Sequence, residues 1–219
     1  MLLNLDPKLA SKFPGLSARI THIRGVHIEE ERPDLEAFRV TVLNEAIKRW
    51  NIEELKENPV FKAYRDFFWK MKIDPTKTRP AAEALLRRVL RGTPLPKINT
   101  LVDAYNLASL STIIPFGAFD TDKMRGEPLM REATPSEKFL GIGMDVSIQL
   151  SGGEVVIQDD EKIIAVYPYR DAVYSKVTTS TKNLLLMTCG VPRIGDKELR
   201  AAEMVGVEYI TRFCDGVAS

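Results

Sequence analysis

From Leu16 to Ile28 the chain reads LSARITHIRGVHI, alternating closely enough for one or two strands with Gly25 as a bend or bulge. After an acidic patch and Pro33 the period lengthens. Leu35, Phe38, Val42, Ala46, Ile47 and Trp50 recur at spacings of three and four, which predicts an amphipathic helix with Asp34 as its N-cap. Pro59 breaks that run, and VFKAYRDFFWKM predicts a second, aromatic helix. DPTKTRPAAEALLRRVLRG reads as a loop and then a helix, with Pro80 in its first turn, Gly92 at its C-terminal cap and Leu85, Leu86, Val89 and Leu90 as its apolar stripe. A further helix over about 99–110 gives way to an extended IIPFGAFD.

Beyond residue 125 the segments become short and β-branched: EPLMREA, MDVSIQLS, EVVIQDD and KIIAVYPY. Turn signals at SGG (151–153) and DDE (159–161) predict a meander or a pair of hairpins. KNLLLMTCG reads as another buried strand. The chain closes on an amphipathic helix from Asp196 that carries Leu199, Ala202, Val205, Tyr209, Ile210 and Phe213. Helices, then strands, then a helix predict an α+β fold rather than a doubly wound sheet. The 219 residues suit a single domain, read as a strand-and-helix extension over 1–60 and a core over 61–219.

Charge adds little at first, because 31 basic residues face 30 acidic ones. No apolar run approaches the roughly 20 residues that span a bilayer. The start MLLNLDPKLASKFPG lacks a secretory pattern. Cys189 and Cys214 sit on apolar segments, as reduced core thiols do. A cytoplasmic protein without a membrane partner is expected. His22 and His27 have no nearby cysteine or third ligand, so no metal is expected, and no cofactor either. The charge is nevertheless uneven. Residues 60–97 hold ten Lys and Arg against three acidic residues, a local +7, with Phe61, Tyr64, Phe67, Phe68 and Trp69 interleaved. Such a stretch either binds a phosphate backbone or forms a solvated helix face over a core-facing aromatic stripe. The adjacent Arg87 and Arg88 point in different directions, so at most one is expected to share the face of Arg91.

The stretch INTLVDAYNLASLSTIIPFGAFD, residues 98–120, is apolar yet holds Asn99, Asp103, Asn106 and Asp120. Together with RPAAEALLRRVLRGTPLPK before it and STKNLLLMT (180–188) after it, this stretch resembles the B3/B4 domain of the phenylalanyl-tRNA synthetase beta subunit. The likeness covers roughly residues 75–190, and the N-x-x-V-D-x-x-N element, Asn99 to Asn106, is its centre. It implies an α+β unit with antiparallel and mixed sheets, including a sheet sandwich, flanked by helices. It also implies a partner, tRNA or the 3′ end of an aminoacyl-tRNA, and an activity, hydrolysis of mischarged tRNA in trans. The alternative is a non-catalytic tRNA or amino-acid binding module.

Two readings of the polar residues stay open. Asp103 and Asn106 lie three apart on one helix face and can bond neighbouring backbone, while Asp120 caps a turn. In the other reading Asn99, Asp103, Asn106 and Asp120, with Phe116 and Gly117 beside them, line a pocket for the terminal adenosine and its amino acid. The synthetase domain usually reads H-A-F-D where this chain has Gly117-Ala118-Phe119-Asp120, and its tyrosine-recognising glutamate aligns with Met187. Specificity for tyrosine is therefore not expected here, and methionine offers an apolar wall. No histidine follows residue 27, so no histidine base exists in the matched region. Arg170 is expected to meet a phosphate or the ester carbonyl, and Asp171 the α-ammonium group, unless they form a surface or capping ion pair. Arg79, Arg87, Arg88 and Lys97 are the expected RNA-backbone contacts. This reading requires the midsection and the late strands to enclose a cavity.

Overall fold

Strand β2 (Ala18–Val26) lies inside a four-stranded sheet, and the computed structural model, which describes residues 1–219, builds the molecule outward from it. On one side β2 pairs antiparallel with β10 (Asn183–Cys189), on the other with β11 (Asp215–Ala218). β10 in turn pairs with β3 (Phe116–Asp120), giving the order β11-β2-β10-β3. A second sheet of five strands runs β1-β4-β7-β8-β9. Its members are β1 (Asn4–Leu5), β4 (Leu129–Glu132), β7 (Val155–Gln158), β8 (Ile163–Val166) and β9 (Arg170–Asp171). Only the β1–β4 pair is parallel. β5 (Lys138–Phe139) and β6 (Ile148–Gln149) form a separate ribbon.

The helices follow the apolar stripes. α2 (Pro33–Arg49) buries Leu35, Val42 and Ala46, and α3 (Pro59–Lys70) buries Phe61, Tyr64, Phe67 and Phe68. α4 (Ala81–Leu90), α5 (Thr100–Thr112) and α6 (Asp196–Cys214) complete the set with the short α1 (Pro7–Lys12). α6 packs against α5 on one side and against β2 and β10 on the other. One continuous core links the helices and both sheets, and burying it out of water is the main stabilising term.

The α+β expectation holds, with antiparallel and mixed sheets flanked by helices. Several local expectations do not. Asp34 is not the N-cap of α2: the helix begins at Pro33, the cap position is Arg32, and Asp34 sits in the first turn holding the Arg32 guanidinium. SGG does not close a hairpin, because β6 pairs with β5 and β7 finds β4 and β8; only the DDE turn, between β7 and β8, joins neighbouring strands. Residues 1–60, set apart as an extension, supply β1 to one sheet, the inner strand β2 to the other, and α2 against α5. No helix is long and apolar enough to cross a membrane. Cys189 and Cys214 are buried free thiols.

Candidate functional site

α5, β3, β10 and the β8–β9 turn meet around a cavity of about 200 Å³. It opens at the junction of the two sheets, where β3 and β10 present one wall and β8 and β9 the other. The register fixes who faces whom. Gly117 on β3 pairs with Met187 on β10, and Ala165 on β8 pairs with Asp171 on β9. Side chains on a strand share a face at every second position, so Met187 brings Cys189 with it and Gly117 brings Phe119.

Most of the lining is apolar, including Phe116, Phe119, Val166, Pro168 and Met187. Polar groups enter at few points. Asn106 on α5 lines the cavity, and its side chain makes no hydrogen bond within the chain. Asp171 sits against the bare backbone of Gly117: a methyl group there would lie 3.3 Å from Asp171 Oδ2 and 3.5 Å from Oδ1. Burial with no compensating cation pushes the Asp171 carboxyl up to about 7. Tyr105 and Cys189 line the same cavity. Burial first, and then the neighbouring Asp171, raise both, so phenol and thiol stay protonated at neutral pH. A thiol held protonated is a poor nucleophile.

Arg170 stands beside this pocket in a fixed pose. Its guanidinium donates to Ile142 O at 3.0 Å and to the Tyr169 hydroxyl at 3.3 Å, and lies over the Tyr169 ring at 5.1 Å. The stem passes over Gly141, where a methyl group would clash with Arg170 Cδ. Arg170 and Asp171 are therefore not an ion pair: the guanidinium turns to the β5–β6 ribbon while the carboxylate faces inward.

Of the nine expected pocket residues, six line this cavity: Asn106, Phe116, Gly117, Arg170, Asp171 and Met187. The other three are structural. Asn99 caps α5, accepting from Val102 N at 2.9 Å. Asp103 accepts from Arg39 Nη2 at 2.6 Å and from Ile98 N at 3.2 Å. Asp120 accepts from Thr181 Oγ1 at 2.7 Å and Asp122 N at 3.1 Å, and pairs with Lys123. Each is withdrawn from water and must find its partners inside the protein, and it does so away from the cavity. Tyr105, Phe119 and Cys189 were missed. Their signals were present: Tyr105 adjoins Asn106, and the other two follow Gly117 and Met187 by one strand period.

α4 links the pocket to a basic groove. Its first residue, Ala81, lines the cavity, and the helix starts there without a side-chain cap. Along its flank Arg79, Arg87, Arg88 and Arg91 line a groove of about 450 Å³ with Lys77. Arg87 and Arg88 thus both share a surface with Arg91, because the groove is wide enough for long stems from adjacent positions to reach it. Arg87 Nε is held by Glu83 Oε1 at 2.6 Å, and Arg65 binds the same buried carboxylate, whose pKa these two cations depress against the opposing effect of burial. Lys97 lies outside the groove, engaged by Glu36 at 2.9 Å and Glu31 at 3.4 Å. No group of three or more potential metal ligands gathers anywhere in the chain.

An α+β domain with an aromatic-walled pocket between two sheets and an arginine groove beside it is the class these features define. The chain belongs to the B3/4 domain family, whose model matches residues 63–201. It is 33% identical over 101 residues to the phenylalanine–tRNA ligase beta subunit of Fusobacterium nucleatum, covering 46% of this chain and 12% of that protein. It is 35% identical over 88 residues to the same subunit of Psychrobacter arcticus, covering 40% and 11%. The match thus spans about an eighth of the length of these curated relatives. The fold is similar to that of an N-terminal fragment of the phenylalanyl-tRNA synthetase beta subunit from Pyrococcus horikoshii, with a TM-score of 0.52 at 14% identity, over 99% of this chain and 49% of that one.

Proposed function

We propose that this protein binds the 3′ end of an aminoacyl-tRNA and hydrolyses the ester of a mischarged one in trans. The observation that carries the reading is the convergence of Asn106, Arg170 and Asp171 on one small apolar pocket. The cavity holds the liquid volume of about six or seven waters, which suits one amino-acid side chain and its ester better than a whole nucleoside. The ribose and adenine then lie at the mouth, where the Asn106 amide donates and accepts and the fixed Arg170 guanidinium meets a phosphate or the ester carbonyl. The Met187 and Phe116 walls favour an aliphatic or unsubstituted aromatic side chain over a hydroxylated one, which would leave its hydroxyl unpaired there. The acceptor stem follows the groove of Arg79, Arg88 and Arg91, at low salt above all.

The test is a deacylation screen across a panel of misacylated tRNAs, with Asn106→Ala as control. Faster release of at least one amino acid than in buffer, weakened in the variant, supports the reading. Rates equal to buffer over the whole panel remove it and leave salt-sensitive tRNA binding without turnover as the alternative.

A further inference from the structure

The carboxylates that this protein buries most deeply are all held. Glu83 binds two arginines, Asp103 binds Arg39, Asp120 binds Thr181 and Lys123, and Asp159 accepts from three backbone amides. Asp171, half-buried where the cavity opens, is not held. Its two oxygens lie beside the backbone of Gly117, and neither accepts a hydrogen bond from the chain. A carboxylate kept unpaired costs stability and persists where something else engages it.

The rest of the lining narrows what that is. α5 presents the Tyr105 phenol and β10 the Cys189 thiol, both held protonated. The Tyr167 hydroxyl is spent on Gly190 O, and the Tyr169 hydroxyl accepts from Arg170, whose guanidinium is turned to Ile142. β3 and β8 bring only Phe116, Gly117, Phe119, Ala165 and Val166. None of these is a proton acceptor at neutral pH, and no histidine lines the pocket.

Resting on the hydrolase reading above, we propose that Asp171 is the general base of the reaction, taking a proton from the water that attacks the ester. The water oxygen bonds to the carbonyl carbon as one of its protons passes to an Asp171 oxygen. The tetrahedral centre then collapses: the bond from carbon to the ribose oxygen breaks, and that oxygen takes the proton from Asp171. Free amino acid and a terminal ribose hydroxyl result, and the carboxylate is restored. Gly117 makes the room, because a side chain there would occupy the space beside the carboxylate. A carboxyl that titrates at about 7 is both present as the base and strong enough to act near neutral pH.

This role excludes a second one on the same oxygens, the binding of the substrate's α-ammonium group, since a cation docked there would hold the carboxylate ionised and make it a weak base. The experiment uses a tRNA ester that the wild type hydrolyses, with the α-amine free or acetylated, and follows single-turnover rates from pH 5 to 9 for wild type and for Asp171→Asn. The wild-type rate is expected to rise with an inflection near 7 on both esters. In Asp171→Asn both rates fall by a factor on the order of 10²–10⁴ and the inflection disappears. A variant within threefold of wild type overturns the proposal, and so does a wild type that rejects the acetylated ester while hydrolysing the free one. The variant's melting temperature and tRNA affinity, both expected to be at least those of wild type, separate lost chemistry from lost fold. A wild type inert toward every ester instead removes the hydrolase reading, and this proposal with it.

Discussion

A methyl group on Gly117 would lie 3.3 Å from Asp171 Oδ2, so the backbone of β3 and the carboxylate of β9 are in contact only because residue 117 has no side chain. The φ angle at Gly117 is not positive, so alanine is sterically allowed by the backbone and the whole effect falls on the carboxylate. Gly117→Ala is expected to shift that group by a few tenths of an ångström. Deacylation should drop about tenfold while the melting temperature moves by no more than about 4 °C, the equivalent of roughly 1 kcal/mol in a chain of this size. Unchanged kinetics would contradict the contact's importance.

Asp171 also sets a pH dependence of stability. Its pKa is raised on folding, from the ordinary 3.8 to about 7, so the folded form is favoured when the group is protonated and loses that advantage as pH rises from 4 through 7. Asp171→Asn removes the cost. The variant should melt above wild type at pH 8 and near it at pH 4, with the difference opening across that window. A gap that stays constant with pH would count against an unpaired carboxyl.

Asp103 answers differently, because it is paired. Its carboxylate and the Arg39 guanidinium are both withdrawn from water, and burial raises the Asp103 pKa even with Arg39 alongside. Removing one partner strands the other charge. Asp103→Ala is expected to cost about 3–5 kcal/mol, readable by chemical denaturation. A loss under 1 kcal/mol would show that Arg39 finds water instead.

Gly206 on α6 carries a packing prediction. A methyl group there would come within 2.6 Å of Phe116 Cε1 and 3.3 Å of Leu186 Cδ2. Gly206→Ala should therefore destabilise by about 1–3 kcal/mol, despite alanine's better helix propensity. Phe116 also walls the pocket, so the same change should disturb hydrolysis. A stabilised variant would mean that the helix simply moves away.

For the groove, Arg79→Gln and Arg91→Gln should each weaken tRNA binding and reduce the slope of log affinity against log salt by about 0.7–0.9. Lys97→Gln, already engaged by Glu31 and Glu36, should leave the slope nearly unchanged. Equal effects at all three positions would relocate the RNA path.

Long periodic segments were legible in the sequence: α2, α3 and α6 follow their apolar spacing, and β3 and β10 fall where IIPFGAFD and KNLLLMTCG place them. The two-residue strands β1, β5 and β9 were not, since so short a stretch has no period and is created by its partner. At the site, Asn106, Gly117 and Met187 could be read because they sit within the likeness to the synthetase domain. Asn99, Asp103 and Asp120 could not be sorted from them, since a buried cap, a buried ion pair and a ligand contact use the same residue types. Only the register and the partners Arg39, Thr181 and Val102 N separate the cases.

The inner place of β2 bears on how the molecule comes to be made. Its ladder joins Arg24 to Asn183 and Ala18 to Cys189, so a strand translated early meets only the short N-terminal bridge from Leu2 to Arg19, and its long edge stays open until about 160 more residues exist. At ribosomal speeds of about 5–20 residues per second that is a wait of roughly 8–32 s with an unpaired apolar edge. Newly synthesised chains should thus lean on chaperones that shield such edges.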